Sequence, residues 1–207
     1  MPLDRAWIAL DSDPRRDLPR PRMYLFDPDE LHEIAKASLD AGDRPAIIDA
    51  VTRELKARYP EHINDGVPWL YNNAGGAMGQ MKLLHCSLRE YILIFGTPIG
   101  TEGHSGRYST EVYDFMLDGE MWCSAADNTE RAIFRPGDAA YLGSSRAKGY
   151  RIPDHGWMLE YSRGWIPTML PFGLADSLVS TLDVRTLGRT IWHYGAMTTR
   201  NLLRGKI

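Results

Sequence analysis

Cysteine is scarce in this 207-residue chain: only Cys86 and Cys123 occur, too few for a disulfide framework. Both lie in apolar, strand-like segments, so buried free thiols are expected. No uncharged apolar run reaches the roughly 18 residues of a membrane-spanning helix. The apolar stretch Ala6–Leu10 before Asp11 is too short for a signal-peptide core, so the chain is expected to be made and kept inside the cell. Basic charge is not in excess: 24 Lys and Arg face 27 Asp and Glu, which disfavours a nucleic-acid partner. The 13 prolines and 19 glycines are scattered, which disfavours collagenous or extended disordered chains.

Familiar site motifs are also missing. The six histidines include no His-x-His pair, and His85, His104 and His155 are far apart, so no metal site is expected. Gly103-His104-Ser105-Gly106-Arg107 begins like a nucleophile elbow but carries Arg in place of the second flanking glycine, and it opens no strand-to-helix turn. The glycines of Ala74–Gly79 lack both the dinucleotide fingerprint and the Walker lysine, so they mark a tight turn before a strand and no phosphate cradle. What remains is an ordinary globular composition, 43% apolar and 25% charged, sized for one domain.

The pattern divides the chain into an irregular Pro/Arg-rich arm over 1–25 and a single domain over 26–207. Asp27-Pro28-Asp29-Glu30 reads as a capping box opening a helix to about Leu39. A second helix follows Asp43, with Ile47, Ile48, Val51, Leu55 and Tyr59 on one face, and stops at Pro60; together they occupy 26–60. From 69 to 163 the period becomes two. Strands are expected at Met81–Ser87, Glu90–Thr97, Thr110–Leu117, Met121–Ser124, Arg131–Phe134, Ala139–Leu142, Gly149–Ile152 and Gly156–Ser162. Eight short strands predict a barrel or jelly roll. Tyr91-Ile92-Leu93-Ile94-Phe95 is apolar on both faces, so one face should line an interior and the other be covered by helices.

A helical pair is expected over 165–205, its first helix carrying Met169, Leu170, Phe172, Leu174, Leu178 and Leu182. Between Gly164 and Leu182 the single charge is Asp176. From Val184 onward Arg185, Arg189, Arg200, Arg204 and Lys206 occur without any acidic residue. Leu187, Ile191, Trp192, Tyr194 and Leu202 recur near helical spacing among these charges, the pattern of a basic amphipathic helix that lies on an anionic membrane surface.

Two carboxylates break the strand pattern. Period two places Asp114 on the face of Val112 and Met116, and Glu160 on the face of Met158. A buried isolated carboxylate costs several kcal/mol unless it is paired or neutralised, so two acids aimed into one interior suggest a shared proton. Satisfied structural acids, or acids pointing outward, fit the periodicity equally well. A proton-sharing pair in an apolar pocket is equipment for moving a proton onto and off a hydrocarbon.

The strings NNAGGAMGQMKLLHCSLREYILIFGT, GTEGHSGRY, FRPGDAAYL and WMLEYSRGWIPTMLPFGLADSLVSTLD resemble the family uniting the fungal sterol delta-8,delta-7 isomerase with the animal sigma-1 receptor. The resemblance covers residues 24–205, and GTEGHSGRY and WIPTMLPFGLAD lean towards the fungal enzyme. It implies a mainly β, cupin-like barrel with flanking helices, a homotrimer, C-terminal helices on a membrane, and no cofactor. By matching motif, Glu160 corresponds to the glutamate that meets a ligand's ammonium, Asp114 to its acidic partner, and Tyr91 to the tyrosine orienting that glutamate. Met81, Leu83, Leu93, Phe95, Val112, Ile166, Leu170 and Tyr194 correspond to pocket-lining positions.

The implied reaction is a double-bond shift in a sterol or similar terpenoid: one acid protonates the alkene to a carbocation and the other removes a neighbouring proton. The roles of the two acids stay open, with Glu160 expected nearest the cation and Tyr91, Trp157 and Phe95 as π neighbours. Lipophilic cationic amines are the implied inhibitors. A non-catalytic, receptor-like binder of cationic amphiphiles or lipids, and a specialised terpenoid isomerase or cyclase, are the alternatives. The Pro/Arg arm stands where the relatives carry a hydrophobic N-terminal segment, so peripheral attachment is expected, on endoplasmic-reticulum-type membranes in a eukaryote or the cytoplasmic face in a bacterium. Ala77, Met169 and Gly173 depart from the receptor's residues, so the pocket mouth should differ.

Overall fold

The computed structural model describes residues 8–9, 23–126 and 128–206. Most of the arm expected over 1–25 therefore lies outside the described residues. Within it, β1 (Ile8–Ala9) pairs in parallel with β9 (Ala139–Leu142).

The two N-terminal helices form where their caps predict. Asp27 accepts from the Asp29 amide at the head of α1 (Pro28–Ser38), and Asp43 accepts from Ala46 at the head of α2 (Arg44–Arg58). Both Glu30 carboxylate oxygens are engaged from the far end of α2, by Arg58 at 2.9 Å and the Tyr59 hydroxyl at 2.6 Å.

Among the described residues the β region has ten more strands: β2 (Leu70–Ala74), β3 (Ala77–Cys86), β4 (Glu90–Thr97), β5 (Thr101–His104), β6 (Thr110–Gly119), β7 (Met121–Ala125), β8 (Ala132–Phe134), β9, β10 (Lys148–Ile152) and β11 (Gly156–Gly164). All eight expected strands are present within a few residues, and β2 and β5 are additional. Asn72-Asn73 and Glu102-Gly103-His104 carry little strand propensity, so they are strands because of their partners β3 and β10.

Seven strands form one sheet in the order β1-β9-β6-β11-β4-β3-β2, and four form another in the order β5-β10-β7-β8. The expected cupin-like barrel or jelly roll takes the form of two sheets that face each other, and among the described residues no hydrogen bonds close them into one. The β2 edge is covered by the helix α3 (Leu170–Val179), so a helix protects it in place of a neighbouring strand.

The seven-stranded sheet is buried on both faces. Ile92, Ile94, Phe115, Leu159 and Tyr161 point to α1 and α2 and form one core with Leu31, Val51 and Leu55. Their alternates Tyr91, Phe95, Met116 and Met158 point between the sheets and form a second. Gly96 is required on the outer face, where a Cβ would lie 2.2 Å from the Trp157 ring. Gly119, at φ +74° in the last position of β6, allows the chain to pass against the His155 carbonyl.

An anion node ties the chain together. Glu90 is fully buried and accepts from the Phe26 amide at 3.1 Å and the Tyr161 hydroxyl at 2.7 Å. It also pairs with Lys206 beyond the end of α4 (Val184–Leu203). The chain's first helical entry, its central sheet and its C-terminal helix therefore meet on one carboxylate.

Candidate active site

β11 lies between β6 and β4, and its register sets Glu160 directly opposite Asp114 on one side and Leu93 on the other. A bulge falls between Trp157 and Met158, before the acid, so the alternation through Met158 and Glu160 is intact. Tyr91 sits on the same face of β4, opposite Ser162. That diagonal position lies within reach of an aromatic side chain, and its hydroxyl donates to Glu160 Oε1 at 2.5 Å. The three side chains assigned to chemistry from the sequence therefore converge.

A fourth was not expected. Lys148, the first residue of β10, crosses from the four-stranded sheet and its Nζ forms an ion pair with Asp114 Oδ2. Its side chain is 5% exposed and that of Asp114 is 4% exposed. The expected strand began at Gly149, one residue late. Extended by one, alternation places Lys148 on the face of Tyr150 and Ile152 while Arg151 faces out, which was the available signal.

Burial pushes the Glu160 carboxyl up to about 7, with the Asp114 charge adding to it and the Tyr91 hydrogen bond and Lys148 opposing it. Glu160 retains some accessible surface; because it lines a cavity among apolar side chains, desolvation still prevails. Burial, then the Glu160 charge, hold the Tyr91 phenol well above its usual range, so it stays a donor. Burial works against the Lys148 ammonium, but Asp114, Cys123 and Glu160 together more than offset it, and the lysine remains charged. Cys86 and Cys123 are buried free thiols; burial raises Cys123 to about 11, which removes any thiolate chemistry at neutral pH.

All eight expected pocket residues, Met81, Leu83, Leu93, Phe95, Val112, Ile166, Leu170 and Tyr194, line this cavity. Tyr108, Tyr150, Met158, Phe172 and Thr190 join them. α3 and α4 contribute part of the lining, through Leu170, Phe172 and Leu174 and through Thr190 and Tyr194. α4 is held by the Tyr194 hydroxyl, which donates to the Ser87 carbonyl at 3.1 Å, and by the Asn201 amide, which donates to the Cys86 carbonyl at 2.8 Å.

Three expectations need correction. Trp157 is in the outer core, edge-on to Trp69 at 5.3 Å between ring centroids, because period two places 157, 159 and 161 opposite to Glu160; it is no neighbour of a bound cation. Of the three departures from the receptor, Met169 and Gly173 line the cavity, whereas Ala77 is 1% exposed beside Gly103. Finally, Tyr194 does not share a face with Trp192. The inward stripe of α4 is Tyr194, Met197, Thr198 and Asn201, and Ile191 and Trp192 face out.

An apolar cavity with a few convergent polar groups and a displaced carboxyl group has the make-up of a small-molecule site suited to a hydrophobic ligand. The chain belongs to the ERG2 and Sigma1 receptor like protein family, whose pattern matches residues 9–206. It is 43% identical to a C-8 sterol isomerase of Neurospora crassa over 88% of this chain and 73% of that protein. It is 40% identical to the C-8 sterol isomerase of Aspergillus fumigatus, over 89% and 79%. The chicken sigma non-opioid intracellular receptor 1 is 39% identical, over 92% and 81%. Among solved structures, an RmlC-like cupin from Shewanella frigidimarina superposes with a TM-score of 0.42 at 14% identity, over 49% of this chain and 89% of that one.

Proposed function

We propose that the chain is a sterol delta-8 to delta-7 double-bond isomerase, with Glu160 as acid and Asp114 as base. The carrying observation is the Glu160 carboxyl, raised by burial and opposed across the strand pair by an ion-paired carboxylate in an otherwise apolar cavity. Identity alone does not choose between isomerase and receptor, since the two kinds of relative differ by only a few per cent. The asymmetry between the two acids favours catalysis.

Glu160 gives its proton to one alkene carbon, and the π electrons form the new C–H bond and leave a tertiary cation. The Glu160 carboxylate then faces that cation in a dry site, where electrostatic stabilisation is strongest. Asp114 removes a proton from the carbon on the cation's other side, and that C–H pair becomes the shifted double bond. An ion-paired carboxylate is a weak base, but a proton next to a carbocation is far more acidic than any carboxylic acid. The Asp114 proton returns to Glu160 across the strand pair. Substrate and product are isomers, so no redox cofactor enters the balance.

The second reading, a receptor-like binder of cationic amphiphiles, is favoured by the Tyr91-oriented Glu160, which can also meet an ammonium. The deciding experiment equilibrates the protein in deuterated water and adds a delta-8 sterol. Delta-7 product carrying solvent deuterium is the isomerase outcome; unchanged sterol together with saturable amine binding is the receptor outcome.

Attachment to a membrane surface belongs to the same proposal. Leu178, Val179, Leu182, Ile191, Trp192 and Leu203 are all at least half exposed on α3, α4 or the turn between them, beside the five basic residues that follow Val184. No helix among the described residues is long and apolar enough to cross a membrane. Family membership alone supports the homotrimer, for which mass photometry of the purified chain is the test.

A further inference from the structure

The double-bond shift uses two carboxylates and a phenol and leaves Lys148 without a part. Yet a buried ammonium is expensive to keep, and this one is held in place. The Lys148 amide donates to Ser105 Oγ at 2.9 Å, and the Ser105 amide donates to the Lys148 carbonyl at 2.9 Å. Among the described residues, Lys148 is the only Lys or Arg that lines the cavity. The titratable groups facing Glu160 are Asp114 from β6, Tyr91 from β4, Lys148 and Tyr150 from β10, and Tyr108 from the segment before β6. Cys123 of β7 faces Lys148.

Resting on the isomerase reading, we propose that Lys148 is a positioning residue that decides which carboxylate carries the proton. By holding Asp114 as the anion across the two sheets, it keeps the transferable proton on Glu160. It also leaves the empty pocket electrically neutral, suited to an uncharged polycyclic substrate. Two carboxylates set directly opposite on neighbouring strands would otherwise share one proton nearly evenly and leave a net negative charge facing the ligand. After each turnover Asp114 holds the proton and Glu160 is ionised; the ammonium beside Asp114 expels that proton back to Glu160. Only a proton moves between two carboxylates, so the cycle closes.

The test measures two properties of Lys148→Met, Lys148→Arg, Asp114→Asn and the Lys148→Met/Asp114→Asn double variant. One is the alkaline limb of the pH–rate profile. The other is affinity for N,N-dimethyldodecylamine against its uncharged analogue dodecyl methyl ether. In Lys148→Met the limb rises by about one to two pH units, the effect of removing one unit charge several ångströms away at an effective dielectric of about 20. The amine binds about tenfold more tightly there, and the ether is unaffected. Lys148→Arg, which keeps the charge, leaves the limb in place.

Should Lys148→Met fail to fold, the other pair of variants decides. Asp114→Asn strands an ammonium in the pocket and weakens the amine about tenfold, and adding Lys148→Met restores it. An unmoved limb with unchanged or weaker amine binding in Lys148→Met overturns the proposal, as does a double variant that binds the amine no better than Asp114→Asn. The amine measurements need no turnover. A wild-type chain that leaves delta-8 sterol unchanged therefore overturns the isomerase reading separately.

Discussion

Glu160→Gln should separate catalysis from stability in opposite directions. The amide nearly matches the acid in shape and can still accept from Tyr91, but it has no proton to give. General acid catalysis contributes about 100- to 10,000-fold, which is about 3 to 5 kcal/mol of barrier at 1.36 kcal/mol per tenfold. Turnover of a delta-8 sterol should fall by that factor.

Stability moves the other way because the folded-state carboxyl is raised from 4.5 to about 7. Below pH 4.5 it is protonated in both folded and unfolded chains and costs nothing. Between 4.5 and 7 only the folded chain keeps the proton, so stability falls as pH rises; above 7 the folded protein carries a buried anion and the deficit is complete. The span amounts to at most about 3 kcal/mol at 1.36 kcal/mol per unit. Some Glu160 surface reaches the cavity, which makes this an upper bound. The variant lacks the deficit. At pH 8 its Tm should exceed wild type by up to about 6 to 12 °C, at 2 to 4 °C per kcal/mol for a chain of this size. Near pH 4.5 the two should coincide. Scanning calorimetry at the two pH values, beside a sterol turnover assay, reads both effects. Turnover within tenfold of wild type, or a Tm below wild type at pH 8, would refute the reasoning.

Asp114→Asn should abolish turnover and lower stability by about 3 kcal/mol or more, because it leaves the Lys148 ammonium buried and unpaired; chemical denaturation checks the second part. In the wild type, isomerisation should decline as pH rises through about 7, where Glu160 loses its proton, while affinity for a lipophilic tertiary amine increases over the same interval as the carboxylate forms. Lys206→Met should destabilise by about 3 kcal/mol, since Glu90 is fully buried and loses its cation; a Tm equal to wild type would remove that ion pair from the account. The full chain should sediment with anionic liposomes at low salt and lose most of that binding at high salt, because each surface basic charge contributes about 1 kcal/mol that salt screens.

Much of the fold was legible because it is written in local terms. Capping residues Asp27 and Asp43 and stopping residues such as Pro60 located the first two helices. Doubly apolar segments such as Tyr91–Phe95 foretold a sheet with a filled interior and a helix-covered back. Where local signals were weak, position came from partners: β2 and β5 are polar or glycine-containing strands recruited by β3 and β10. Whether the two sheets close into a barrel depends on edges far apart in sequence, and α3 over β2 could not be read from either element alone.

The site divides along the same line. Glu160 and Asp114 announce themselves because each breaks the apolar pattern of its own strand, and Tyr91 follows once the family resemblance is seen. Trp157 was misplaced although its own strand held the answer, since it alternates with Glu160. Lys148 is different in kind. A lysine at the start of a strand is ordinarily a solvated end, and its counter-charge lies 34 residues earlier on the other sheet. Two charges on separate sheets share no period. Periodicity can therefore flag an acid that should not be buried, but the cation that makes the burial tolerable shows only when the sheets are brought face to face. Because that cation sits on Asp114, the asymmetry between acid and base is a property of tertiary structure, and the roles of the two carboxylates could not have been divided from sequence.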